Sequence, residues 1–123
     1  MPTRLVMPIV LACFLLVGGA VAACAHAYPN HSDPGAGATL STAPHQVRIW
    51  FTEAIEPAFS TMTVIDASGR LVGQGKATVD SKDPKLLEIG LMALTPGTYR
   101  VKWRVVAVDT HRTEGDFTFT VKP

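Results

Sequence analysis

Asp109 and His111 flank a single residue in the run Asp109-Thr110-His111. On an extended chain, residues two apart point to the same side, so this carboxylate and imidazole face one site. They continue the inward parity of the strand before them. Such a pair at a strand end can ligate a metal, or the aspartate can orient the imidazole. The same three residues also read as a turn, with the aspartate capping backbone N–H groups and the histidine in solvent.

His26 is the second candidate, on one condition. If it becomes the first residue of the working protein, its α-amine and its ring Nδ1 can chelate one metal. The amine has a reference pKa near ~7.7–8.0 and the imidazole near ~6.5, so a divalent metal can displace both protons at neutral pH. Adding His111 gives three nitrogens, with an oxygen from Asp109. A tetragonal N,O set of this kind suits Cu(II). Zn(II) could use the same atoms tetrahedrally.

The N-terminal pattern bears on that condition. Arg4 precedes a 21-residue run, Leu5 to Ala25, without a charged residue, and small residues follow. A basic start, an apolar stretch and an A-x-A-like end make a secretory signal peptide over 1–25, leaving one domain over 26–123. Three other starts fit the same stretch. Ala25-His26-Ala27 permits cleavage before Tyr28, and Val21-Ala22-Ala23-Cys24 resembles a bacterial lipobox that would leave a lipidated Cys24. The run is also about the ~20 residues that span a bilayer, so an uncleaved anchor is the fourth.

Removal of 1–25 takes Arg4, Cys13 and Cys24 with it. The remaining chain has 10 Lys and Arg against 10 Asp and Glu, no cysteine, and all four histidines: His26, His31, His45 and His111. Zero net charge argues against a nucleic-acid partner, which needs a basic surface to displace counterions. It offers no electrostatic reason to bind a membrane surface. A domain of this size buries roughly 60–70% of its unfolded surface and can fold without disulfides.

The elements that must position these residues are strands. Residues 26–46 read as an extended lead-in, with a turn at Asp33-Pro34-Gly35. Strands are predicted over 47–52, 61–66, 86–91, 99–109 and 116–122, with one or two short ones in 70–80. Turns fall at Ala67-Ser68-Gly69, at 81–85 and at Thr95-Pro96-Gly97-Thr98. Tyr99, Val101, Trp103, Val105 and Ala107 share one face of the long strand, and Arg100, Lys102 and Arg104 the other. Phe117, Phe119 and Val121 point inward from the last. Both tryptophans and the strand phenylalanines read as core. No segment after residue 25 keeps a 3.6-residue period. The pattern predicts an all-β, Greek-key β-sandwich of Ig-like or cupredoxin-like type behind the signal peptide.

Two long stretches carry a resemblance. PGAGATLSTAPHQVRIWFTE (34–53) and LTPGTYRVKWRVVAVDTHRTEGDFTFTV (94–121) are similar to the CopC family of periplasmic copper-resistance proteins. The most specific piece runs from Pro96 through Trp103 and Asp109-x-His111 to Gly115 and Phe117. Members begin their mature chain with a histidine eight residues before the proline of a P-x-x-G element. Here that element starts at Pro34, and the matching residue is His26. The resemblance therefore implies cleavage after Ala25 and a Cu(II) site of His26, Asp109 and His111. Glu53 matches a glutamate that the family keeps near this site, where it would support a ligand or serve the fold alone. Many members also carry a methionine-rich Cu(I) loop. This chain has only Met62 and Met92 after residue 25, and no Cu(I) site is expected. Pro29 confines any strand before Pro34 to a sheet edge. His31 and His45 read as solvated histidines, His31 having the alternative of an extra ligand.

The resemblance implies an exported, periplasmic Cu(II)-binding protein that sequesters copper or hands it to a membrane partner, such as an inner-membrane copper transporter of the CopD type. It implies no enzyme activity, and a monomer is the default. Binding is expected to order the N-terminal arm against the end of the sandwich. The rival is a membrane-tethered Ig-like interaction module without a metal site. A copper oxygenase with an N-terminal histidine brace is disfavoured, because Asp109 would fill a position that such chemistry needs open.

Overall fold

The computed structural model describes residues 26–123, so the signal peptide expected over 1–25, with Cys13 and Cys24, lies outside the described residues. Eight strands follow in order: β1 (Pro29–Asp33), β2 (Thr39–Leu40), β3 (Gln46–Phe51), β4 (Thr61–Ile65), β5 (Gly73–Val79), β6 (Leu86–Leu91), β7 (Gly97–Val106) and β8 (Arg112–Val121). One 3-10 turn, Pro57–Phe59, precedes β4. Among the described residues no helix is long and apolar enough to cross a membrane.

The strands form two four-stranded sheets, ordered β1-β3-β6-β5 and β2-β8-β7-β4. All pairings are antiparallel except β2 with β8. This is the predicted β-sandwich. Its cause is the period-two pattern: β3 reads exposed Gln46, buried Val47, half-buried Arg48, buried Ile49, half-buried Trp50, buried Phe51. In β7, Tyr99, Val101, Trp103 and Val105 are buried and Arg100, Lys102 and Arg104 exposed. The inner faces meet in one core that includes Ile49, Phe51, Leu87, Val101 and Phe119. Each such side chain contributes about 1.5–3 kcal/mol by leaving water.

Gly115 lies opposite Trp103 in the β7–β8 register. A Cβ at Gly115 would sit 2.6 Å from the indole Cζ2. The glycine is therefore the space into which the buried indole packs.

Four expectations change. The lead-in holds two strands, because β1 adds to the β3 edge and β2 pairs the end of β8. β1 is an edge strand that starts at Pro29, as the missing proline donor requires. Strand β8 begins at Arg112 rather than 116, and β7 runs from Gly97 to Val106 rather than from 99 to 109; their hairpin pairs ten residues a side. Trp50 is not core. It lies on the outer face of its sheet, stacked on His31 at 4.3 Å and 13°, with the Arg48 guanidinium 5.0 Å from its ring.

Candidate metal centre

Three segments meet at one end of the sandwich: the arm 26–28, the crossing 52–56 that leaves β3, and the turn 107–111 between β7 and β8. The crossing docks on β7 through an Ile55–Ala107 bridge and a bond from the Glu56 N–H to the Val106 carbonyl, 2.8 Å.

The hairpin turn brings Asp109 and His111 together, and it does so differently from the strand parity expected. The extended chain stops at Val106. The Thr110 N–H donates to the Ala107 carbonyl at 2.8 Å and the Ala107 N–H to the His111 carbonyl at 2.9 Å. Thr110 takes a φ of 74°, in the left-handed region that tight turns use. The His111 N–H then donates to Asp109 Oδ1 at 3.1 Å, an Asx turn. The second carboxylate oxygen lies 3.2 Å from His111 Nδ1. Both side chains are exposed, at 37% and 45%, rather than inward.

That His111 backbone N–H holds the Asp109 carboxyl below the usual carboxylate range. Desolvation opposes it, while the His111 and then the His26 imidazole add to it. With Nδ1 of His111 against Asp109, Nε2 is the ring nitrogen left to bind a metal. In this arrangement Asp109 orients His111; as a direct ligand it would exchange that contact for the metal.

His26 completes the group. Its ring centroid is 4.8 Å from that of His111, at an interplanar angle of 77°. Its Nδ1 is buried and has no hydrogen-bond partner among the described residues. A buried polar atom without a partner costs free energy and calls for an explanation. A metal ion on that nitrogen is one that fits, and nitrogen donors suit Cu(II) and Zn(II). Among the described residues no three His, Cys, Asp or Glu side chains converge closely enough to hold a metal ion. Asp109 is turned toward His111, and the third nitrogen foreseen for the site is the His26 α-amine, which is not a side-chain atom.

The arm is held by contacts that no sequence pattern marked. Ala27 is fully buried, and its carbonyl accepts a bond from Thr113 Oγ1 at 2.6 Å. Thr52 Oγ1 donates to the His26 carbonyl at 3.3 Å and accepts from the Tyr28 N–H at 3.1 Å. The Tyr28 carbonyl accepts from the Thr52 N–H at 2.8 Å. A single threonine at a strand end has no period or spacing to betray it.

The remaining candidates lie elsewhere or make no direct link. Glu53 follows Thr52 and is half-buried, but none of the side-chain hydrogen bonds or ion pairs among the described residues joins it to His26, Asp109 or His111. His31 is packed on Trp50 rather than solvated alone. His45 is exposed before β3, and its carbonyl accepts from the Leu91 N–H at the opposite end of the sandwich. Met62 is core and Met92 is exposed.

The comparisons with known proteins agree with this fold. Protein YobA of Escherichia coli strain K12 is 37% identical over 99 residues, covering 80% of each chain. Copper resistance protein C of Escherichia coli is 36% identical over 115 residues, covering 88% of this chain and 90% of its own. The crystal structure of CopC from Methylosinus trichosporium OB3b superposes with a TM-score of 0.74 at 33% identity, over 80% of this chain and 95% of its own. The CopC domain model matches residues 30–122. With the sandwich, the sequence matches and the structural neighbour in accord, the chain belongs to the CopC family.

Proposed function

We propose that residues 1–25 are removed on export and that residues 26–123 bind one Cu(II) ion in the cell envelope, through the His26 α-amine and Nδ1, His111 and Asp109. The observation that carries this reading is the His26 ring, packed against His111 with a buried Nδ1 that no group among the described residues satisfies. A relative and a solved neighbour named for copper resistance and CopC supply the metal's identity. Copper is the cargo: the protein sequesters it or passes it to a membrane partner of the CopD type, acts as a monomer, and is not an enzyme. Binding weakens below about pH 5–6, where protons compete for the imidazoles and the amine.

The test has two steps. The intact mass of the exported protein should match residues 26–123. Cu(II) titration should then show one tight site, and His111→Ala should weaken it by more than about 100-fold, since even loss of a group that only orients a ligand costs about 10–100-fold. A mass beginning at Tyr28 or at a lipidated Cys24, with His111→Ala binding as tightly as the parent, would replace this reading with the tethered module.

A further inference from the structure

We propose that the hydroxyls of Thr52 and Thr113 are positioning groups that dock the N-terminal arm, so that His26 faces His111 before any metal arrives. The purpose of this docking rests on the copper reading above; its geometry does not.

The two threonines come from different sheets. Thr52 follows the last residue of β3, and Thr113 is the second residue of β8. Between them they take up the backbone of residues 26–28. The Thr52 hydroxyl donates to the His26 carbonyl and accepts from the Tyr28 N–H, so one oxygen spans both sides of Ala27. A hydroxyl has one donor and two acceptor sites, and this contact uses both kinds. The Thr113 hydroxyl, at 2.6 Å, satisfies the carbonyl of Ala27, whose side chain is fully buried. A buried carbonyl must find a partner, so the arm cannot leave Thr113 without exchanging that bond for water.

Thr113 stands two residues after His111 at the start of β8. The bond that fixes Ala27 is thus separated from the His111 backbone by a single residue, Arg112, and from His26 by one peptide bond. This short lever sets the distance between the two rings. All the atoms involved are hydroxyls, carbonyls and amide N–H groups, none of which belongs to the proposed ligand set. Docking therefore does not depend on copper, and it leaves the His26 ring Nδ1 free to bind. On this inference copper meets an arm already in place, where the sequence reading expects binding to order it.

The experiment uses the exported protein stripped of metal with a chelator. At a centroid separation of 4.8 Å, the His26 and His111 ring protons should give a nuclear Overhauser contact in the parent and in Thr113→Ser. Thr113→Val and Thr52→Val keep the side-chain shape but lose the hydroxyl. Each should weaken or abolish that contact and speed amide exchange at Tyr28, while the urea midpoint followed by core signals changes little. Cu(II) affinity should fall about 10-fold in Thr113→Val and return in Thr113→Ser, on the scale of one hydrogen bond. Absence of the ring contact in the metal-free parent would overturn the inference, as would its persistence in the Thr52→Val/Thr113→Val double variant at unchanged affinity. If Thr113→Val does not fold, the metal-free parent and Thr52→Val decide. His111→Ala runs in parallel. If it leaves copper affinity unchanged, the copper reading fails, and the ring contact and Tyr28 exchange still judge the docking.

Discussion

At the scale of single residues, the site depends on a few atoms whose alternatives are costly. Asp109 uses both oxygens on His111, one on the backbone and one on the ring. Asp109→Asn keeps an acceptor but loses the charge that favours a metal-bound imidazole. It should lower Cu(II) affinity by about 10–100-fold, less than His111→Ala does, as titrations of both variants would show. Gly115 is a different kind of constraint. A methyl group there meets the Trp103 indole at 2.6 Å, and that ring is closed in by the core, including Phe51 at 5.3 Å. Gly115→Ala should cost about 1–3 kcal/mol in urea unfolding, through a forced shift of the indole. The sequence shows Asp109 and His111 as candidate ligands, and Gly115 only as part of the stretch that carries the family resemblance. The turn in which Asp109 caps the His111 N–H is one of the two readings the sequence offers, and the structure takes it. That Gly115 makes room for an aromatic ring is not shown by the sequence, because it depends on what lies across the hairpin.

At the scale of elements, turns and edges decide where the site residues end up. The β4–β5 turn is built on Asp66, whose carboxylate accepts from the Ser68 hydroxyl at 2.7 Å and from the N–H groups of Ser68 and Arg70, each at 2.9 Å. The Ser68 hydroxyl is the main cause that holds the Asp66 carboxyl below its ordinary value of 3.8, with the Arg70 N–H next. A depressed folded pKa contributes stability above the ordinary value and loses it as pH falls through the folded one. Asp66→Ala should therefore be less stable than the parent at pH 7, and the gap in urea midpoint should shrink steadily below about pH 4. At the β1 edge, His31 stacks on Trp50. His31→Ala should cost about 0.5–1.5 kcal/mol and shift the tryptophan emission, since half-buried Trp50 would gain water. The period-two pattern placed β3, β4, β6 and β7 within a few residues. It missed β1 and β2, because their partners, not their composition, make them strands. It also carried β7 too far, since the parity of Asp109 and His111 continued past the point where the turn begins.

At the scale of the whole molecule, the proposed ligands come from its two ends. His26 begins the described chain and His111 lies near its close. They meet only when both sheets are formed, so on the proposed ligand set copper should bind the folded state more tightly than the unfolded one. Free Cu(II) at about 100 times the dissociation constant should add about 2.7 kcal/mol of stability, raising the melting temperature by roughly 10 °C or more. The rise should disappear in His111→Ala. The ion pairs on the outer faces matter less. Arg48–Asp33, Arg100–Asp116 and Arg104–Glu114 are all partly or largely exposed, and each should be worth under about 1 kcal/mol.

The sequence by itself determined the class of fold and the residues with ligand chemistry. Alternating apolar residues can bury one face only as strands, and imidazole and carboxylate groups keep their chemistry wherever they sit. Its resemblance to a family also pointed to His26 as the start. Only the tertiary structure decided how these residues meet. The threonine hydroxyls that seat Ala27 and the 4.8 Å approach of His26 to His111 are contacts between segments far apart in the chain. A linear pattern records the spacing of neighbours along the chain. It carries no term for which backbone carbonyl a distant hydroxyl will find once the two sheets close.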